Sequence, residues 1–191
     1  MNEAQTSSRL KLRLETWVSV LAVIGMSLLG PTGCGKSDQG PSAPNAAASD
    51  VVGQRIEFKT GGNSEPYRVS GWSKTETEFT WTEGTAAKLA LPISANPAGL
   101  KLKLITGALI HEPDFPSQPV EVYANGQKVS EWQVGNAAEF VATVPGEITK
   151  AGGTLTLEFR TPKATSPKAL GVNADTRILG ICVRSLELTK G

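Results

Sequence analysis

Four groups of residues have types and spacings that could do chemistry. Gly30-Pro31-Thr32-Gly33-Cys34-Gly35-Lys36-Ser37 satisfies G-x-x-x-x-G-K-S, in which a glycine-rich loop cradles phosphates, the lysine reaches them and the serine holds magnesium. Trp72 and Trp81, with Glu76 and Glu78 between them, offer flat apolar rings and edge carboxylates of the kind that grip sugar rings. Asp175 and Arg177 flank a single residue. The guanidinium fork there suits the hydroxyls of a ligand, and it equally suits a neighbouring carboxylate that would tie the loop down. His111, Glu112 and Asp114 bring one imidazole and two carboxylates together around Pro113.

Each group needs a particular frame, and the frame separates the readings. A phosphate loop works between a buried strand and the start of a helix. After Ser37 the chain runs DQGPSAPNAAASD, with two prolines, a glycine and no apolar stripe, so no packed helix follows. No nucleotide and no cofactor are therefore expected. The His111 group lacks a second histidine or a cysteine pair at ligand spacing and reads as a surface loop, so no metal is expected. No two of Glu76, Glu112, Asp114 and Asp175 stand out as the carboxylate pair of a glycoside hydrolase, and no catalytic residues are assigned. Cys182 lies in the apolar run ILGICVRSLEL and reads as a small core residue.

The leader supplies the alternative to the phosphate loop. Arg9, Lys11 and Arg13 precede an uncharged apolar run from Trp17 to Leu29, about 13 residues long, against the roughly 20 that a spanning helix needs. Gly30, Thr32 and Gly33 then lead to Cys34. This resembles a bacterial lipoprotein signal, whose cysteine takes a diacylglycerol and becomes the new N-terminus. Pro31 stands where that family usually has an aliphatic residue. The small residues Ala46-Ala47-Ala48 lie too far beyond Leu29 for an ordinary secretory cleavage site, and an uncleaved anchor would need a longer run. The resemblance implies export and a lipid on Cys34 that holds the chain at the cell envelope, at the outer membrane if the host has one. Residues 1–33 are then the signal, 34–52 a flexible tether and 53–191 the folded domain.

From Cys34 onward the basic and acidic residues are equal in number, with no basic block, which argues against nucleic acid as a partner. With Cys34 lipidated, Cys182 is the only other cysteine, so no internal disulfide is available.

The pattern after the tether is that of strands throughout. Gln54 to Thr60, Glu78 to Thr82 and Ala87 to Leu91 alternate, and Leu100-Lys101-Leu102-Lys103-Leu104 sets three leucines against two lysines. Asn125-Gly126, between Val122 and Val129, is the preferred pair for a type I′ turn and predicts a hairpin. Glu139 to Val144, Thr154 to Phe159 and Ile178 to Leu188 complete an all-β, antiparallel sandwich of jelly-roll or carbohydrate-binding-module type. Recognition would fall on the intervening segments Gly61 to Lys74, His111 to Gln118 and Thr161 to Thr176. By period 2, Trp81 shares a face with Phe79 and is expected in the core, whereas Trp72 follows Gly71 in a loop and is open to a ligand.

GWSKTETEFTWTEGTAAKLALPI, LKLKLITGALI, VEVYANGQKV and the run S-P-x-x-L-G-x-x-x-D-x-R-x-L-G, from Ser166 to Gly180, resemble a bacterial jelly-roll module. Modules of that kind are appended to some membrane glycosyltransferases and surface-polysaccharide proteins. The resemblance implies a carbohydrate-related binding or accessory role. The residues themselves give Trp72, Trp81, Asp175 and Arg177 as ligand-binding candidates on a domain expected to be non-catalytic, with a weak hydrolase as the remote alternative. A structural or assembly lipoprotein with an envelope protein as partner is the alternative. A single substitution separates the two readings of the leader. Cys34→Ala abolishes lipid labelling and membrane retention while Lys36→Ala changes neither; nucleotide binding lost with Lys36→Ala would reverse the assignment.

Overall fold

The computed structural model describes residues 49–191. The leader, Cys34, Lys36, Ser37 and most of the expected tether lie outside the described residues. Among the described residues no helix is long and apolar enough to cross a membrane.

Among the described residues, ten strands are divided between two antiparallel five-stranded sheets. They are β1 (Arg55–Glu57), β2 (Arg68–Ser70), β3 (Thr80–Glu83), β4 (Ala86–Ile93), β5 (Leu100–Ala108), β6 (Gln118–Ala124), β7 (Gln127–Val134), β8 (Ala138–Val144), β9 (Gly153–Arg160) and β10 (Leu179–Lys190). One sheet has the order β1-β10-β5-β8, with β3 also paired to β10; the other has the order β2-β4-β9-β6-β7. The chain changes sheet at every connection except the β6–β7 hairpin, so it wraps around one core in the manner of a jelly roll.

Alternation places the core. On β5, Leu100, Leu102 and Leu104 are fully buried while Lys101 is exposed. Across from them Leu89 and Leu91 of β4 and Leu155, Leu157 and Phe159 of β9 fill the other inner face. The hairpin turns through Asn125 at φ 45° and Gly126 at φ 82°, the left-handed pair that type I′ requires. Trp132 is buried and spans the gap between sheets at their rim: its indole N–H donates to the Val141 carbonyl of the edge strand β8 at 3.2 Å, so one exposed ladder group is capped. Val51 is also buried and donates its N–H to Pro92 O at 3.0 Å, while Val52 bridges Leu188. Val51 and Val52 are thus packed onto the sandwich.

Strand β3 departs from the expected facing. Thr80 and Thr82 are fully buried, and Trp81 is half-buried on the outer face rather than in the core. The register sets this: Thr80 pairs with buried Val183 and Trp81 with Cys182, and beyond that pair, between Leu179 and Cys182, β10 bulges, carrying one residue more than β3 does. The Ile181 N–H there donates to Thr82 Oγ1 at 3.0 Å, and Thr80 Oγ1 donates to the Phe58 carbonyl at 2.8 Å. The threonine hydroxyls supply what the interrupted ladder lacks. Gly180 is fitted to the same bulge, because a Cβ there would lie 2.6 Å from Thr161 Oγ1 and 2.7 Å from Thr82 Oγ1. Cys182 pairs with Trp81 and so shares its outer side instead of joining the core; burial pushes its thiol above the usual cysteine value.

Thr82→Val keeps the shape and leaves the Ile181 N–H buried without an acceptor. Urea unfolding is expected to show a loss of about 1–3 kcal/mol, whereas Trp81→Leu on the outer face costs less.

Candidate functional site

The segment expected to be a loop, Gly61 to Lys74, contains the candidate site and a short strand of its own. A 3-10 turn at Glu65–Tyr67 leads into β2, whose residues pair with β4. Gly71 then turns the chain at φ 74°, hard against β4; a Cβ there would collide with the Ala86 carbonyl. Only glycine satisfies both the dihedral and the contact. The turn delivers Trp72, which bridges Thr82 and therefore points to the inner side of β3. Its ring packs on buried Phe58 with centroids 5.1 Å apart, and its indole N–H donates to Lys88 O at 2.8 Å. Trp72 is thereby fixed in orientation while remaining half-buried.

Around it lies a shallow depression of about 370 Å³, lined by Glu65, Arg68, Val69, Ser70, Trp72 and Lys74 together with Gly71 and Ser73. Val69 is 62% exposed at its edge. Its contents are an aromatic wall, two hydroxyls, two cations and one carboxylate.

Ser73 joins this depression to the Asp175–Arg177 pair. Its carbonyl accepts from Arg68 Nη1 at 3.3 Å, and its hydroxyl accepts from Arg177 Nη1 at 3.2 Å. Arg177 in turn grips Asp175, with Nη2 on Oδ2 at 2.6 Å and Nε on Oδ2 at 3.0 Å, and the Asp175 carboxylate also accepts the Arg177 backbone N–H at 2.9 Å. Glu76 Oε1 lies 3.7 Å from Arg177 Nη2. The guanidinium fork is thus committed to its own chain, and it ties the long β9–β10 connection to the segment that carries Trp72. A second, separate hollow lies beside it, lined by Glu83, Gly84, Thr176, Arg177 and Ile178.

The four ligand-binding candidates are therefore brought together only in part. Trp72 lines the depression, and Arg177 with Asp175 stands behind it through Ser73. Trp81 faces the other way, stacked edge-on against Phe79 at 5.6 Å with the Arg184 guanidinium 5.8 Å from the Phe79 ring. Arg68, Ser70, Ser73, Lys74 and Glu65 were not singled out from the sequence; the signal available was their position in a loop next to a glycine-tryptophan pair. Tyr123 lies under the Arg160 guanidinium at 4.0 Å, on the outer face of the other sheet. His111 bridges Phe115 in an exposed turn, and among the described residues no group of three or more His, Cys, Asp or Glu could hold a metal ion.

Comparison with protein-family models gives no match, and comparison with curated proteins gives none. Among solved structures the chain is similar to the carbohydrate-binding module CBM36 in complex with calcium and xylotriose, at 12% identity over 71% of this chain and 98% of that one, TM-score 0.43. It is also similar to the CBM22-1 xylan-binding domain of Paenibacillus barcinonensis Xyn10C, at 11% identity over 76% of this chain and 99% of that one, TM-score 0.47. A third likeness is to the K1 cleaved adhesin domain of Lys-gingipain from Porphyromonas gingivalis W83, at 14% identity over 59% and 74%, TM-score 0.38. Likenesses this distant assign no site, and the chemistry of the depression is read from its own residues.

The Asp175–Arg177 pair has a pH signature. The hydrogen bonds from the Arg177 side chain, with the one from its backbone, hold the Asp175 carboxyl below its ordinary value of 3.8. A depressed carboxyl stabilises the fold above its unfolded value and loses that contribution as pH falls through the folded one. Asp175→Asn is expected to lower stability at neutral pH and to flatten the acid limb of a thermal-melt profile below about pH 4. A limb as steep as that of the parent chain would assign the acid sensitivity to Glu158 and Glu121, which are also depressed by their partners Arg160 and Lys128.

Proposed function

We propose that the sandwich is a non-catalytic carbohydrate-binding module, carried at the cell envelope by a lipid on Cys34. The observation that carries the proposal is the depression against Trp72. Its volume of about 370 Å³ falls at the lower end of the range for small-ligand sites, which suits one or two sugar rings. An indole wall matches the apolar C–H face of a pyranose, and Ser70, Arg68 and Lys74 offer hydroxyl and cationic partners at its edge. The wall is preorganised by Phe58 behind it and by the Lys88 carbonyl on its N–H, so little ordering remains to oppose binding. Glu65 is the one carboxylate that lines the depression, while glycoside hydrolysis uses two flanking the scissile bond, and this supports binding without turnover.

A second reading draws on the outer face of β3. Phe79 and Trp81 form an aromatic pair away from the depression, a surface that suits an envelope protein. Crosslinking that recovers one stoichiometric protein partner, with no glycan affinity, would select that reading.

The first reading is tested without disturbing the core. Ser70 is exposed and lines the depression, so Ser70→Trp fills it from the solvent side. Titration against a panel of envelope and plant cell-wall oligosaccharides is expected to find a ligand whose affinity falls at least tenfold in Ser70→Trp, about 1.4 kcal/mol, with an unchanged melting temperature. Binding to no member of the panel, or equal binding by parent and Ser70→Trp chains, would overturn it.

A further inference from the structure

We infer that the Trp72 depression selects an acidic sugar, whose carboxylate is held by Arg68 with Lys74; this rests on the carbohydrate-binding reading above. The described residues include five arginines, and four have a carboxylate partner: Arg55 with Glu57 at 3.7 Å, Arg160 with Glu158 at 2.7 Å, Arg177 with Asp175 at 2.6 Å and Arg184 with Glu78 at 3.7 Å. Arg68 has none among the described residues. Its single hydrogen bond there runs from Nη1 to the Ser73 carbonyl at a long 3.3 Å, and its Nε is buried with no partner. That bond leaves Nη2 without a protein acceptor among the described residues, and a ligand carboxylate in the depression that Arg68 lines would supply one.

The surroundings point the same way. Lys74, the second cation of the lining, likewise has no carboxylate partner among the described residues, so the two positive charges face one negative, that of Glu65. Glu65 does not approach Arg68 within ion-pair distance. Arg177, whose fork looked from the sequence like the sugar clamp, is occupied by Asp175, and its role toward the depression is to hold Ser73 in place. Ser73 then positions Arg68 through its carbonyl. A hexuronate fits both halves of this arrangement. Its C–H face lies on Trp72, and its planar carboxylate meets the planar fork.

The experiment uses oligomers of galacturonate, of alginate and of hyaluronan, each paired with its carboxyl-reduced neutral form, and reads affinity by calorimetry on the full chain. At least one acidic oligomer is expected to bind ten or more times tighter than its reduced partner, with an affinity that falls as sodium chloride is raised. Arg68→Gln is expected to bring the acidic form down to the level of the reduced one, and Lys74→Gln to do so in part. Glu65→Gln, which removes the opposing charge, tightens the acidic form. Equal affinity for acidic and reduced forms, or an Arg68→Gln chain that folds and still prefers the acidic form, would overturn the inference and leave carbohydrate binding standing. If Arg68→Gln lowers the melting temperature markedly, Lys74→Gln and Glu65→Gln decide, and no change in either overturns the inference. Binding to none of the six oligomers also overturns it, while the neutral panel with Ser70→Trp judges carbohydrate binding separately.

Discussion

The hydrogen bond from the Ile181 N–H to Thr82 Oγ1, 3.0 Å long, decides how the edge of one sheet is assembled. Strand β10 is the longest in the fold and binds three others, β1, β3 and β5. At its N-terminal end it bulges by one residue, which leaves a buried donor that the ladder does not satisfy. Thr82 satisfies it, and Gly180 makes room for the hydroxyl that does so. Every facing nearby follows. With Thr80 and Thr82 turned inward, Phe79 and Trp81 must be outside, and the neighbouring segment must put Trp72 inside and Ser73 opposite Trp81. The candidate site therefore depends on a backbone group that is not part of its own lining.

The same constraint explains why Trp72 lines the depression while Arg177 stands behind it through Ser73. Arg177 lies at the end of the long β9–β10 connection, just before β10 begins at Leu179. Its bonds to Asp175 and Ser73 fasten that connection to the segment that forms the depression. Trp72 is locked from behind by Phe58 and through its indole N–H, so the segment is braced at both ends. The depression presents a preformed wall and a guanidinium that has no carboxylate partner among the described residues.

Much of the sandwich was legible in the sequence, because its signals are local. The Leu100 to Leu104 alternation gave the facing of β5 outright, and Asn125-Gly126 gave the hairpin, since the type I′ turn demands residues that tolerate positive φ. Strand β3 was located but its facing was reversed. Thr-Trp-Thr alternates perfectly, yet the rule that the larger apolar face is buried fails where hydroxyls are needed inside to complete a broken ladder. Strand β2 was read as loop, because its three residues, Arg68, Val69 and Ser70, carry no alternation long enough to register. Within the site, Trp72 was legible from the preceding glycine. Arg68 was not, since what distinguishes it from the other four arginines among the described residues is a missing carboxylate partner there, and partners belong to the folded chain rather than to the sequence.

The central claim is that ligand is recognised against Trp72 and not on the outer face that Trp81 shares with Phe79. The indole N–H resonances report on this directly, because the Trp72 N–H donates to Lys88 O at 2.8 Å and the Trp132 N–H to Val141 O at 3.2 Å, which places them in distinct surroundings. In a ¹⁵N-labelled chain titrated with a bound oligosaccharide, the account predicts that the Trp72 indole resonance moves in proportion to saturation while those of Trp81 and Trp132 stay where they are. Movement of the Trp81 resonance with Trp72 unchanged would contradict it.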